Sequence, residues 1–319
     1  MLQELKGPDG VVLQHVPAPM GDGRRWVRIE VHAAGVSFAD FLITRGEYQL
    51  HPELPFIPGL EVAGVLCNAL PERGLNAGDR VAACMPGGAF AEEAMADPAA
   101  IVAIPDGLEF PQAAGLIVNY HTSWFTLARR ARLQPAEQVL VHGAGGGLGV
   151  AVIQVARALG ARVLGVAGTP AKAAMAEKAG ADMVVDAGPG WPDAVRAAAK
   201  GGVDVIVDPV GSDRFDYSLR LLRPEGRLVV VGFASGAIPT VKVNRLLLRN
   251  VTVMGAGWGE FLASEPGFLA EAAAALEVLI ARGRLTPLVG AAYPLEDGAQ
   301  ALRDLADRRA VGKLVLTVR

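Results

Sequence analysis

The 319-residue sequence predicts an α/β fold with two parts, a β-rich module and a parallel sheet wound with helices on both faces. Three observations predict it. Residues 1 to about 120 carry short apolar runs broken by Pro and Gly turns, with little helical period. From Gln138 onward, apolar runs of strand length alternate with helical segments. At the head of that alternation stands Gln138–Gly149, QVLVHGAGGGLG, a strand that breaks into glycines and resumes as a helix.

That stretch organises the chain. Val139-Leu140-Val141 has the length and composition of a buried parallel strand. Past the glycines, Leu148, Val152, Val155 and Leu159 fall on one helical face, and Gly160 stands where a C-terminal glycine ends a helix. Arg162–Ala167 reads as a second buried strand. Such a turn presents bare backbone N–H groups at a helix N-terminus, where a pyrophosphate meets no β-carbon. Strict GxGxxG fails, because in the register Ala144, Gly146, Gly149 the first position is alanine. On the loop alone, a glycine-rich connection in an unrelated α/β protein stays open. The flanking strands favour dinucleotide binding.

The end of the second strand selects the dinucleotide, since NAD sites usually place Asp or Glu there for the ribose 2′-OH. Here it reads Ala167-Gly168-Thr169-Pro170-Ala171-Lys172, with no carboxylate to repel a 2′-phosphate. Gly168 leaves room, Thr169 offers a hydroxyl and an N–H, and Lys172 brings a positive charge one turn into the next helix. NADPH is favoured. NADH remains the alternative, because Lys172 also reads as a solvated helix lysine and no arginine stands beside it in the sequence.

In the first module Trp26–Ala33 alternates as a strand, a helix is expected near Phe38–Arg45, and Glu61–Cys67 and Asp79–Cys84 are further strands. Gln112–Ala131 reads as a long helix or helix pair. After the glycine loop come helix Ala171–Ala179, strand Met183–Val185, helix Pro192–Ala199 and strand Val203–Asp208. Helix Phe215–Leu222, strand Arg227–Gly232 and an outer edge strand Asn250–Met254 follow. Helix Phe268–Arg282 leads into strands Leu288–Ala292 and Lys313–Val318 around helix Leu295–Ala306. The expected division is a cofactor domain over 121–265, inserted into a domain of residues 1–120 that 266–319 rejoins.

Composition narrows the function classes. A net charge of −3 gives no electrostatic case for nucleic acid or an anionic membrane. No apolar run reaches spanning length and the N-terminus lacks a basic, apolar leader, so a cytoplasmic protein is expected. The 2 cysteines, Cys67 and Cys84, are too few for a disulfide framework or a four-cysteine zinc lobe. The histidines (His15, His32, His51, His121, His142) show no ligand spacing, and no metal is expected.

Taken together, Ala34–Asp40 (AGVSFAD), Arg45–Tyr48, Pro58–Gly64, Ala77–Val81, the glycine loop, Asp208–Gly211 (DPVG) and Gly312–Leu316 occur in one order along nearly the whole chain. In this the sequence resembles the zinc-independent branch of the medium-chain dehydrogenase/reductase superfamily, the quinone oxidoreductase (ζ-crystallin-like) group. The resemblance implies a GroES-like catalytic domain and a Rossmann cofactor domain. Its metal branch takes zinc ligands at positions that here hold Ser37, Leu60 and, most nearly, Asn119. Serine and leucine cannot replace thiolate and imidazole at zinc.

Carried over by position, the resemblance places Phe38, Asp40 and Thr122 near the nicotinamide, and Ala144, Gly146, Gly147 and Leu148 at the pyrophosphate. It assigns Gly168, Thr169 and Lys172 to the 2′-phosphate, Val231, Gly232, Phe233, Gly255 and Gly257 to the nicotinamide–ribose channel, and Lys313 to closing the site. Many NADPH-using relatives carry a tyrosine where this chain has Ala187, after Asp186, which weakens the argument for strict selectivity.

For substrate, Tyr48 either donates a hydrogen bond to an acceptor oxygen or packs with Phe56 as wall. Asn119 either orients a carbonyl or caps a helix. His121, Trp124 and Phe125 read as core, and the loop Gly255–Phe261 hangs Trp258 over the cleft or packs it away. The expected substrate is a flat, hydrophobic quinone or α,β-unsaturated carbonyl, reduced without metal. An enoyl-thioester reductase and a non-catalytic, crystallin-like NADPH binder are the alternatives. The edge strand near Asn250–Met254 is expected to pair with its twin in a homodimer.

Overall fold

A computed structural model describes residues 1–19 and 26–319. The chain divides into two compact units: Met1–Val118 with Pro266–Glu277 and Pro287–Arg319, and Asn119–Glu265 with Val278–Thr286.

In the first unit β1 (Val27–Val36) buries Val27, Ile29 and Val31 on one face while Arg28 points to solvent. Ser37 then turns the chain into helix α1 (Phe38–Thr44) through a reciprocal capping box with Asp40. Strands β2 (Glu61–Leu66), β3 (Arg80–Cys84), β4 (Glu93–Ala96) and β5 (Ile101–Ala103) follow. The last two lie in stretches whose patterning is too short to read as strands. Of the expected long helix or helix pair the structure has the pair, with Gly115 between α2 (Phe110–Ala114) and α3 (Leu116–Trp124); the second unit begins at Asn119 within α3, and a π-helix spans its Phe125–Arg130.

The second unit alternates as expected. Strand β6 (Gln138–His142) leads into α4 (Gly147–Ala158), β7 (Arg162–Ala167), α5 (Pro170–Lys178), β8 (Met183–Asp186), α6 (Trp191–Ala198), β9 (Val203–Asp208) and α7 (Arg214–Leu221). Strand β10 (Leu222–Val230), α8 (Asn244–Arg249), β11 (Thr252–Gly255) and α9 (Trp258–Ser264) complete the run. All six strands are parallel, in the order β11-β10-β9-β6-β7-β8. Val139, Leu140 and Val141 are fully buried, as a central strand covered on both faces requires. Trp191, Val195, Phe215 and Leu219 pack over Leu140 and Ile206 on one face.

After α10 (Phe268–Ala281) the chain adds β12 (Val289–Pro294), α11 (Gly298–Ala306) and β13 (Lys313–Thr317). These two strands join the first sheet, in the order β12-β13-β1-β2-β3-β5 with β4 on β1. Leu314 and Leu316 enter the same core as Ile29, Val62 and Val81. The N-terminal and C-terminal pieces thus share one sheet and one core.

Candidate functional site

In the second unit the glycine loop is shaped by close backbone approaches. Gly143 turns with φ +61°, a left-handed conformation that favours glycine. A β-carbon on Gly149 would lie 2.2 Å from the Gly143 carbonyl oxygen, so α4 can seat against the loop only without one. Ala144 stands where the dinucleotide fingerprint usually has glycine, and its surroundings explain the exchange. Its N–H donates to the Val166 carbonyl (3.1 Å), and its methyl faces Gly165, where a second β-carbon would come within 2.9 Å. The alanine is matched by a glycine on the neighbouring strand. Gly146 caps α4 with no side-chain hydrogen bond, and Gly146, Gly147 and Leu148 are half-buried. The first-turn amides therefore remain open to an anion.

The same loop touches the start of α5. A β-carbon on Gly145 would meet the Lys172 carbonyl oxygen at 2.3 Å and its Cα at 2.6 Å, so these backbones pack directly. The Thr169 hydroxyl accepts from the Lys172 N–H (3.3 Å), capping α5 with Pro170 in its first turn. Gly168 and Thr169 are exposed. Strand pairing sets Ala167 opposite Asp186, and the Asp186 carboxylate accepts from the Gly188 N–H (2.8 Å).

The DPVG stretch has a role that sequence reasoning did not assign. Buried Asp208 accepts with one carboxylate oxygen from the N–H groups of Val210 (2.8 Å) and Gly211 (2.9 Å), closing the turn after β9. An aspartate two and three residues before amides in a Pro-Gly turn is the available signal. Val231, which follows β10, donates its N–H to the Asp208 carbonyl (2.9 Å). Gly232 follows it and Phe233 is exposed; Gly255 ends β11 and Gly257 caps α9. Buried His142 donates or accepts through Nε2 at the Ser218 hydroxyl (2.8 Å). Burial pushes its pKa down to about 4, against the pull of Asp208, so it is neutral at pH 7.

Asn119 and Thr122 are nearly buried on α3. Asn119 lies inside the helix, which begins at Leu116, so the capping alternative falls away; its carbonyl accepts from the Ser123 hydroxyl (2.7 Å). The stretch from Gly255 is not a loop throughout. Helix α9 starts at Trp258, whose indole is buried 6.0 Å from the His121 ring, so the packed alternative replaces the lid.

The first unit holds a network of buried charges. The Lys313 ammonium donates to Glu61 Oε1 and to the Val36 carbonyl (3.0 Å), while Glu61 Oε2 accepts from the Val118 N–H (2.7 Å). Gly35 makes room for this carboxylate, since a β-carbon there would lie 2.4 Å from Oε1. Next to it, Asp40 Oδ2 accepts from the Ser37 N–H (2.7 Å) and hydroxyl (2.6 Å). Burial pushes the Asp40 pKa up to about 6 despite those bonds, and its Oδ1 has no hydrogen-bond partner. Phe38 opens α1 with its ring 5.5 Å from Phe41, and Tyr48 is half-buried in the turn beyond. Among the described residues no group of three or more His, Cys, Asp or Glu side chains is placed to hold a metal.

Comparison with known proteins gives this arrangement its relatives. Residues 23–106 match the alcohol dehydrogenase GroES-like domain, and residues 147–275 match the model named zinc-binding dehydrogenase. The chain is 38% identical over 320 residues to quinone oxidoreductase-like protein 2 of Mus musculus, covering 99% of this chain and 91% of that one. A probable oxidoreductase from Mycobacterium abscessus is 45% identical with a TM-score of 0.90, over 99% and 97% of the two chains. The quinone oxidoreductase of Thermus thermophilus, solved also as its NADPH complex, is 35% identical with a TM-score of 0.83, over 99% and 98%. Likeness of this degree, end to end and in both units, makes the chain a member of the medium-chain dehydrogenase/reductase superfamily, in its quinone oxidoreductase group.

Proposed function

We propose that the protein is an NADPH-dependent reductase that delivers hydride to a quinone or α,β-unsaturated carbonyl without a metal. One observation carries the reading: the direct packing of Gly145 on Lys172 joins an open helix N-terminus to an exposed, carboxylate-free turn at Gly168 and Thr169. The residues present fit such a dinucleotide. The N–H groups of Gly147 and Leu148, on a backbone turned by Ala144 and Gly146, would hold its pyrophosphate. Gly168, Thr169 and Lys172 receive its 2′-phosphate, and Val231–Phe233, Gly255, Gly257 and Thr122 line its ribose and nicotinamide end. When bound, the nicotinamide supplies the hydride.

In the first unit, Phe38 gives an apolar surface to the ring and Tyr48 donates to the acceptor oxygen as charge develops there. Asn119 orients the acceptor carbonyl. Asp40, through Ser37, fixes the start of the helix that carries Phe38, and Lys313 neutralises Glu61 within the same sheet. Ser37 and Leu60, at the metal branch's ligand positions, leave no zinc centre to polarise an alcohol. An acceptor that is already electron-poor needs only hydride and geometry. The open edge β11, beside exposed Leu247 and Leu248 on α8, supports pairing of two copies into a homodimer.

Absorbance at 340 nm with NADPH or NADH and a panel of quinones, enones and an enoyl-CoA tests the reading. NADPH consumption with a quinone or enone is expected. Consumption with the enoyl-CoA alone moves the acceptor to a thioester, and binding of both nucleotides with no turnover leaves a binding protein.

A further inference from the structure

Arg214 is the first residue of α7, far in sequence from the Gly168–Lys172 turn. The fold nevertheless brings it to that turn. Its Nη2 donates to the carbonyl of Ala187 (2.9 Å), while the Ala187 N–H donates to the Ala167 carbonyl (2.9 Å). A β-carbon on Gly168 would stand only 3.9 Å from that of Ala187. Ala187 thus bridges the guanidinium and the exposed glycine. The guanidinium lies 5.8 Å from the centre of the Trp191 ring, within reach of a cation–π attraction.

The carboxylates near Arg214 have other partners, although the second oxygen of buried Asp208 has no hydrogen bond among the described residues. Asp186 accepts from Gly188 N–H, Asp213 from the Ser212 hydroxyl, Asp208 from two turn amides, and Asp216 pairs with Arg245. No carboxylate among the described residues forms an ion pair with Arg214, which is half-buried. A guanidinium offers five N–H donors, and one is used on Ala187. A positive group with spare donors and no ion pair among the described residues, one residue from an exposed glycine, suits an anion approaching that glycine.

We propose that Arg214 is a specificity-determining residue, a second cation that with Lys172 selects dinucleotides bearing a phosphate on the adenosine ribose. This rests on the NADPH reading above and supplies, from another helix, what Ala187 lacks as a side chain. It binds the phosphate class of ligand and takes no part in hydride transfer.

Calorimetric titration of the full-length protein with 2′,5′-ADP and with 5′-AMP tests it, comparing wild type with Arg214→Gln, Arg214→Lys and Lys172→Ala. Arg214→Gln is expected to weaken 2′,5′-ADP about five- to tenfold, as loss of one charge-assisted contact would, and to leave 5′-AMP within about twofold. Arg214→Lys keeps most of the discrimination. Equal weakening of both ligands assigns Arg214 a purely structural tie and overturns the inference, as does no weakening of either. Wild-type protein bypasses any folding defect: 2′,5′-ADP, and not 5′-AMP, should protect Arg214 from phenylglyoxal, read by peptide mass, and equal protection overturns the inference. If Lys172→Ala loses discrimination and Arg214→Gln does not, the NADPH reading stands and Arg214 is excluded. If wild type itself binds both ligands equally, the NADPH reading falls and takes this one with it.

Discussion

The two units build their polar sites in opposite ways. The second unit works by omission: Gly143, Gly145 and Gly149 let backbones approach until amides and a helix end lie bare. The first unit works by burial, locking Lys313, Glu61, Asp40 and Ser37 into contacts made across β1, β2 and β13. The difference teaches where substitutions should act. Adding atoms should harm the glycine loop, and removing charge should harm the buried network.

The largest expected effect comes from Lys313→Met. It strands the Glu61 carboxylate, fully buried, without its counter-ion, and should cost about 3–5 kcal/mol in urea denaturation. Replacing both partners by apolar residues should recover most of that loss; if it does not, the pair is more than a matched burial.

The pH dependence of stability should carry opposite signs in the two units. His142 is held near pKa 4 when folded and titrates near 6.5 unfolded, so the unfolded chain binds more protons between those values. Its contribution therefore falls as pH drops from about 6.5 to 4, by roughly 3 kcal/mol at most. Asp40 runs the other way. Its folded pKa of about 6 lies above the ordinary 3.8, so the folded chain binds more protons and stability falls as pH rises through that window. Urea titrations at pH 4.5 and 7 should show a shallower acid loss in His142→Gln and a steeper one in Asp40→Asn.

Gly145→Val tests the loop by addition. The new side chain collides with the Lys172 backbone, and about 1–3 kcal/mol of stability should be lost as overpacking, with nucleotide affinity falling at least about tenfold. Titration calorimetry and thermal melts separate the two losses. Smallest in energy is Gly168→Asp, which fits sterically beside Ala187 and places a carboxylate where the 2′-phosphate is expected. The ratio of kcat/KM for NADPH over NADH should drop about tenfold, near 1.4 kcal/mol. An unchanged ratio would remove Gly168 from the site.

Much of the second unit was legible because its signals are local. A strand, a glycine turn and a helix follow one another between Gln138 and Ala158, and the helix stop at Gly160 needs no distant partner. Ala144 broke the fingerprint, and only Gly165 on the neighbouring strand explains why the break is harmless. In the first unit the motifs of Ala34–Asp40 and Pro58–Gly64 marked the right stretches. The pairing of Glu61 with Lys313, 252 residues apart, was not readable from either stretch. Trp258 illustrates the opposite failure. Its glycine-rich neighbourhood suggested a loop and left a lid or a packed ring open; the structure has a helix from Trp258, with the indole buried near His121.

The alternation of strands and helices, the glycine turn and the lack of a carboxylate after β7 can be read from the residues alone, because each depends on neighbours within one turn or strand. Only the tertiary structure decided which distant charges meet. Lys313 reaches Glu61, and Arg214 reaches the carbonyl beside Gly168, because sheet order sets neighbours by hydrogen-bonded register and not by distance along the chain.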